Sequence, residues 1–148
     1  MFGSIVLGTD GSDTASVALR QAIELAGRHG ARLCIVSAYE PVSDQRLHDR
    51  QVEVPKDLEW MVNPRGDVLA TLDAARAQAA GAGVTAVETF ARQGDAADAI
   101  LDVAEEQRAD LVVVGNKGTT GAKRFLLGSV PNKVSHHAPC SVLIVRTT

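Results

Sequence analysis

Residues Leu111 to Val130 read LVVVGNKGTTGAKRFLLGSV, and this stretch decides the fold. It opens on an unbroken apolar run, Leu111 to Val114. Consecutive aliphatic residues without alternation suit a strand buried on both faces, the usual state of a strand in a parallel sheet. A glycine-rich loop follows, carrying Gly115, Gly118, Gly121 and Gly128. Gly128-Ser129-Val130-Pro131 then reads as the start of a helix, with Ser129 as the N-cap and Pro131 in the first turn, where its missing N–H is no loss. A strand that feeds a glycine loop into a helix N-terminus is built to hold phosphate. Glycines bring backbone N–H groups close to the anion, and the helix end adds partial positive charge. Lys117, Lys123 and Arg124 place full charges nearby, although each also reads as a solvated loop residue. The stretch predicts a nucleotide site.

The spacing narrows the choice. A P-loop needs glycine followed directly by lysine, and the chain has no such pair; the G-x-G-x-x-G dinucleotide fingerprint is absent too. What stands here is Gly115, two residues, Gly118, nine residues, then Gly128-Ser129. This resembles the ATP-binding motif of the universal stress protein family, G-x2-G-x9-G-[ST]. Further blocks follow in the family's order: VLGTDGSD at the first strand, VSAYEP after the second, ADLVVVGNKG, and the closing CSVLIV. The related ATP-pyrophosphatase enzymes share the architecture but carry a serine-glycine-glycine loop after strand one, which GTDGSD does not supply.

Working outward, Ser4 to Thr9 is a short apolar strand, and Ser12 or Asp13 caps a helix running to about His29. Its Ala15, Ala18, Leu19, Ala22 and Ala26 fall on one face at helical spacing, with Gly27 and Gly30 near its end. Arg32 to Ala38 is the second strand. Gly66 to Ala80 is an alanine-rich helix with Val68, Leu69, Leu72, Ala75 and Ala79 inward. Thr85 to Arg92 alternates as a third strand, and Asp95 caps a helix bearing Ala96, Ala99, Ile100, Val103 and Ala104. Ser129 to His137 is the last helix and Ser141 to Arg146 the last strand. Between the second strand and the alanine-rich helix, Tyr39 to Asn63 is polar and proline-punctuated; it reads as a solvated insertion with one short helix near Leu58 to Met61, or as a lid over the nucleotide. Trp60 lies within it.

Strands alternating with helices give right-handed βαβ units, hence an α/β fold with an open parallel sheet and helices on both faces. With the family's five-strand order 3-2-1-4-5, Rossmann-like and similar to the adenine nucleotide alpha hydrolases, the winding reverses between strands 1 and 4. Ligands of such sheets bind at the carboxyl ends of the strands at that reversal. Thr9-Asp10 and Gly115 are the residues placed there.

The resemblance implies a role for each matching residue. Gly115, Asn116 and Gly118 would pass beneath the ribose and first phosphates. Gly128, Ser129 and Val130 would hold the outer phosphates through backbone N–H groups, Ser129 adding its hydroxyl. Thr9 and Asp10 would lie against the nucleoside, Asp10 near the ribose or a metal, and Ala38 would meet adenine through its backbone. Asp10 also fits a plain turn or helix-capping aspartate. The ligand expected is ATP, alone or with Mg or Mn, with AMP and cyclic AMP as alternatives. No Ser-His-Asp set or carboxylate pair is legible, so no catalytic residue is assigned. The reading is a stress-response regulator or nucleotide-dependent switch; the alternative is a slow ATPase or a self-phosphorylating protein, with Thr119 and Thr120 as acceptors.

Composition bounds the rest. The 148 residues suit a single domain, 1–148, and the formal net charge of −3 speaks against general nucleic-acid or membrane-surface binding. No apolar run reaches the ~20 residues of a membrane span, and no basic, apolar leader is visible. A cytoplasmic protein is expected. Cys34 and Cys140 would sit on strands roughly 14 Å apart at ~4.8 Å per strand step, too far for a disulfide. His136 and His137 are adjacent on a helix and diverge by about 100°, which does not suit a shared metal. The apolar last strand, at the sheet border, needs cover; the family dimerises there, which implies a homodimer through Ser141 to Arg146.

Overall fold

The computed structural model describes residues 1–39, 64–116 and 127–147. In chain order they form β1 (Ser4–Gly8), α1 (Asp13–His29), β2 (Arg32–Tyr39), α2 (Pro64–Gly81), β3 (Val87–Gln93), α3 (Ala96–Glu106), β4 (Leu111–Gly115), α4 (Ser129–His137) and β5 (Ser141–Val145). The strands make one parallel sheet in the order β3-β2-β1-β4-β5, as the sequence predicts.

The apolar runs explain the layering. Along β1 the side chains of Ile5 and Leu7 go to one face and that of Val6 to the other; all three are fully buried. The first face packs on α1 and α2 through Leu19, Ala22, Leu72 and Ala79. The second packs on α3 and α4 through Ile100, Val103 and Val134. Alanines on α1 let the helix lie close to the sheet. Truncating a buried strand residue such as Leu7 to alanine is expected to cost about 2–5 kcal/mol.

Local signals set most boundaries. Ser12 caps α1, its Oγ accepting the Ala15 N–H at 3.1 Å, and Asp95 caps α3, its Oδ2 accepting the Asp98 N–H at 3.0 Å. Four readings need correction. Gly27 lies inside α1, which ends at Gly30. Leu69 is 45% exposed rather than inward, while Val68, Leu72, Ala75 and Ala79 face the core. The N-cap of α4 is Gly128, not Ser129; both are good caps, and the extended backbone falls at the glycine (φ −62°, ψ 164°). Tyr39 closes β2 instead of opening the polar segment. The rest of that segment, with Trp60 and the expected short helix, lies outside the described residues.

The amino edge of the sheet is held by polar contacts. Asp110 Oδ2 accepts the N–H groups of Gly3 at 2.8 Å and Ser4 at 3.0 Å. Arg32 Nη2 donates to the Gln107 carbonyl at 3.0 Å beside them. Cys34 and Cys140 are both free thiols; burial pushes both up from the ordinary value, Cys34 being fully enclosed.

Candidate functional site

At the carboxyl edge, β1 stays with β2 and parts from β4. The β1–β2 register runs to Gly8 opposite Val36, and the Thr9 N–H still donates to the Val36 carbonyl at 2.9 Å. The β1–β4 register stops at Leu7 opposite Val113. A crevice opens where the winding reverses, and a cavity of about 240 Å³ fills it, close to the ~300–1,000 Å³ usual for small-molecule sites. Its lining combines Gly8, Thr9 and Asp10 after β1, Val36 to Ala38 at the end of β2, and Val114-Gly115 at the end of β4. Ala15 of α1, Ala96 and Ile100 of α3, and Gly128 to Pro131 of α4 complete it.

The two ends of the cavity differ chemically. Beside β2, Val36, Ala38 and Ile100 offer an apolar wall for a flat, apolar group. Toward α4, roughly 10 Å away at two strand spacings, the wall is backbone N–H. Helices α1, α3 and α4 all point their N-termini at this edge. The first two satisfy their own orphan N–H groups through Ser12 and Asp95. The third has no side-chain cap. Pro131 has no N–H, and among the described residues the first donor of this helix to find an acceptor is Asn132, to Gly128 O at 3.1 Å, which leaves the Ser129 and Val130 N–H groups of the first turn without a carbonyl there. Two N–H groups at a positive helix end thus border the cavity.

Gly8 shapes the floor. A Cβ there would overlap Ile100 Cδ1 and stand 2.9 Å from its Cγ1, so only glycine lets the α3 side chain lie across the end of β1. Gly11 serves the turn that follows, at φ +78° with Thr71 Oγ1 close behind.

Of the residues expected at the site, Thr9, Asp10, Ala38, Gly115, Gly128, Ser129 and Val130 line the one cavity. Asn116 does not; its side chain is turned to Thr147. Gly118, Lys117, Thr119, Thr120, Lys123 and Arg124 lie outside the described residues. Asp10 Oδ1 accepts from the N–H of Ser12 at 3.0 Å and its Oγ at 2.6 Å, so this carboxylate orients the cap of α1 as a turn aspartate does. Thr9 Oγ1 accepts the Gly11 N–H at 3.2 Å.

Gly8, Ala15, Val36, Ser37, Ala96, Ile100, Val114 and Pro131 also line the cavity but were not singled out by motif. The topological rule reaches most of them, since they end strands β1, β2 and β4 or begin the helices that converge there. Ile100, in the second turn of α3, carries no such signal. Lys133 bridges α4 to α3, reaching Asp98 at 2.8 Å and Asp95 at 3.4 Å. The Asp98 N–H, with Lys133 assisting, holds the Asp95 carboxyl below its ordinary value, and hydrogen bonding to Asp98 holds Lys133 above its own. Among the described residues no group of three His, Cys, Asp or Glu side chains is arranged to hold a metal ion. His136 and His137 stand at the end of α4 with ring centroids 6.4 Å apart.

An open parallel sheet with an anion-receptive helix end and an apolar wall at its winding reversal defines a nucleotide-binding α/β protein by architecture. Comparison with known proteins agrees. Residues 1–146 match the model of the universal stress protein family. The chain is 40% identical over 147 residues to universal stress protein Rv1636 of Mycobacterium tuberculosis, covering 99% of this chain and 98% of that one. It is 38% identical to universal stress protein YxiE of Bacillus subtilis, covering 99% and 100%. Among solved structures, a universal stress protein in complex with cAMP superposes with a TM-score of 0.76 at 37% identity, covering 99% of each chain. The chain belongs to the universal stress protein family.

Proposed function

We propose that this protein binds an adenine nucleotide in the crevice between β1 and β4 and acts as a nucleotide-dependent regulator in a stress response. The base lies on the β2 side against Val36, Ala38 and Ile100, and the phosphates meet the N–H groups of Ser129 and Val130. The observation that carries the reading is the uncapped start of α4 bordering the same cavity as that apolar wall. ATP is the first ligand, because two N–H donors and a glycine-rich approach suit several phosphate oxygens. A universal stress protein solved in complex with cAMP, 37% identical to this chain, supports a cyclic nucleotide as the alternative ligand.

The reading is of binding rather than turnover. Efficient phosphoryl transfer needs a placed base or water-orienting group, and Asp10 spends one carboxylate oxygen on Ser12. The site belongs to a single domain over 1–148 in a cytoplasmic protein. No described helix is long and apolar enough to cross a membrane. The outer edge of β5 pairs with its copy in a homodimer, which covers the border strand of the sheet.

Denaturing the purified protein and identifying the released nucleotide by chromatography and mass, with titration calorimetry against ATP, AMP and cyclic AMP, tests the proposal. Recovery or binding of one of them is expected. A chain that arrives empty and binds none of the three refutes it.

A further inference from the structure

Asn116 follows β4 and opens the stretch that leads to α4, and its polar groups are tied to two separate parts of the chain. Its N–H donates to the Val145 carbonyl at 2.9 Å, extending the β4–β5 ladder by one bond. Its carbonyl accepts the Gly128 N–H at 2.9 Å, so the residue before the stretch is fastened to the cap of α4. Its side-chain Oδ1 accepts twice from Thr147, from the N–H and from Oγ1, both at 2.9 Å.

We infer that Asn116 and Thr147 form a positioning pair that aims the Ser129 and Val130 N–H groups, and that Asn116 acts on the nucleotide through Gly128 rather than by touching it. This rests on the nucleotide reading above. The mechanical argument is short. The first turn of α4 inherits its direction from the Gly128 peptide, and the Asn116 carbonyl holds that peptide. Two donors on one carboxamide oxygen fix both side-chain torsions of Asn116, and through them its backbone. Both residues are half-buried, so water competes only in part for these bonds. The glycines on either side, Gly115 and Gly118, have no side chain that could do the same holding.

The test compares the wild-type protein with Asn116→Ala, Thr147→Val and Thr147→Ser. Affinity for ATP and for cyclic AMP is measured by calorimetry, and amide hydrogen exchange of Gly128 is followed by NMR without ligand. A net hydrogen bond of about 1 kcal/mol corresponds to roughly fivefold in an equilibrium, so Asn116→Ala, which removes two bonds, is expected to weaken binding by up to about thirtyfold and Thr147→Val, which removes one, by up to about fivefold. Thr147→Ser keeps both donors and is expected to stay within about twofold, with Gly128 exchange unchanged. A merely stabilising pair would lower the melting temperature yet leave the affinity of the folded protein alone. Wild-type affinity in Asn116→Ala, or equal losses in Thr147→Ser and Thr147→Val, overturns the inference. A wild-type protein that binds neither nucleotide refutes the nucleotide reading instead. Gly128 exchange then decides the pair alone, faster in Thr147→Val but not Thr147→Ser if the inference holds, and unchanged in both if it fails.

Discussion

A Cβ at Gly8 would take up space held by Ile100, whose side chain also lines the cavity. Gly8→Ala is therefore expected to push Ile100 into the crevice, at an overpacking cost of about 1–3 kcal/mol. Nucleotide affinity should fall at least about tenfold while the circular dichroism spectrum is kept. Adding Ile100→Val, which removes the overlapping Cδ1 but keeps Cγ1, should restore part of the binding; calorimetry on the single and double variants checks it. Asp95 gives a second residue-scale expectation. Its folded pKa is depressed, so its stabilisation is present above the unfolded carboxyl value of about 3.9 and is lost as pH falls through the folded value. Asp95→Ala should cost about 0.5–2 kcal/mol near neutral pH, and the gap to wild type should close on acidification, read by urea melts at pH 7 and below pH 3. Residues announced by a local rule were legible here, Ser12 and Asp95 as caps, whereas the expected strand ends Thr9 and Ala38 each fall one residue from the observed Gly8 and Tyr39. Ile100 was not, because its role depends on a glycine more than ninety positions earlier in the chain.

At the scale of elements, α4 offers the sharpest test. Gly128 is already extended, as a residue before proline must be, and position N1 tolerates proline well. Ser129→Pro should thus leave the helix and the melting temperature nearly unchanged. It deletes one of the two bordering N–H groups and the hydroxyl, so nucleotide affinity should drop by about tenfold or more, since hydrogen bonds to charged groups carry about 1.5–3 kcal/mol. A loss of fold together with binding would mean that Ser129 serves the helix rather than the ligand. Every described helix and strand was expected from the sequence: most strands as apolar runs, β3 from alternation, the first three helices from apolar stripes, and α4 from its cap and first-turn proline. The misplaced details were those where two residues could do one job. Gly128 and Ser129 are both competent caps, Gly27 and Gly30 are both competent stops, and Val68 and Leu69 both fit a face of α2 by spacing. Tertiary packing made each choice.

For the whole molecule, alternating elements and right-handed crossovers give the parallel sheet, the family resemblance implies its order, and that order fixes the crevice before any side chain is considered. The same order leaves β3 and β5 at the borders. Sedimentation velocity at micromolar concentration should show a dimer built on β5; a stable monomer there would overturn that assembly. Because all five strands run the same way, the Asp110 contacts with Gly3 and Ser4 lie a full strand from the crevice, about 16 Å at ~3.3 Å per residue. That separation divides the sequence into two kinds of sensitivity. In a saturation-mutagenesis library scored in one channel for cellular abundance and in another for nucleotide loading, variants of Asp110 and Arg32 should lose both signals in proportion. Variants of Ser129 should stay abundant and run empty, so a survey that reads loading alone would mistake the amino-edge contacts for part of the binding site.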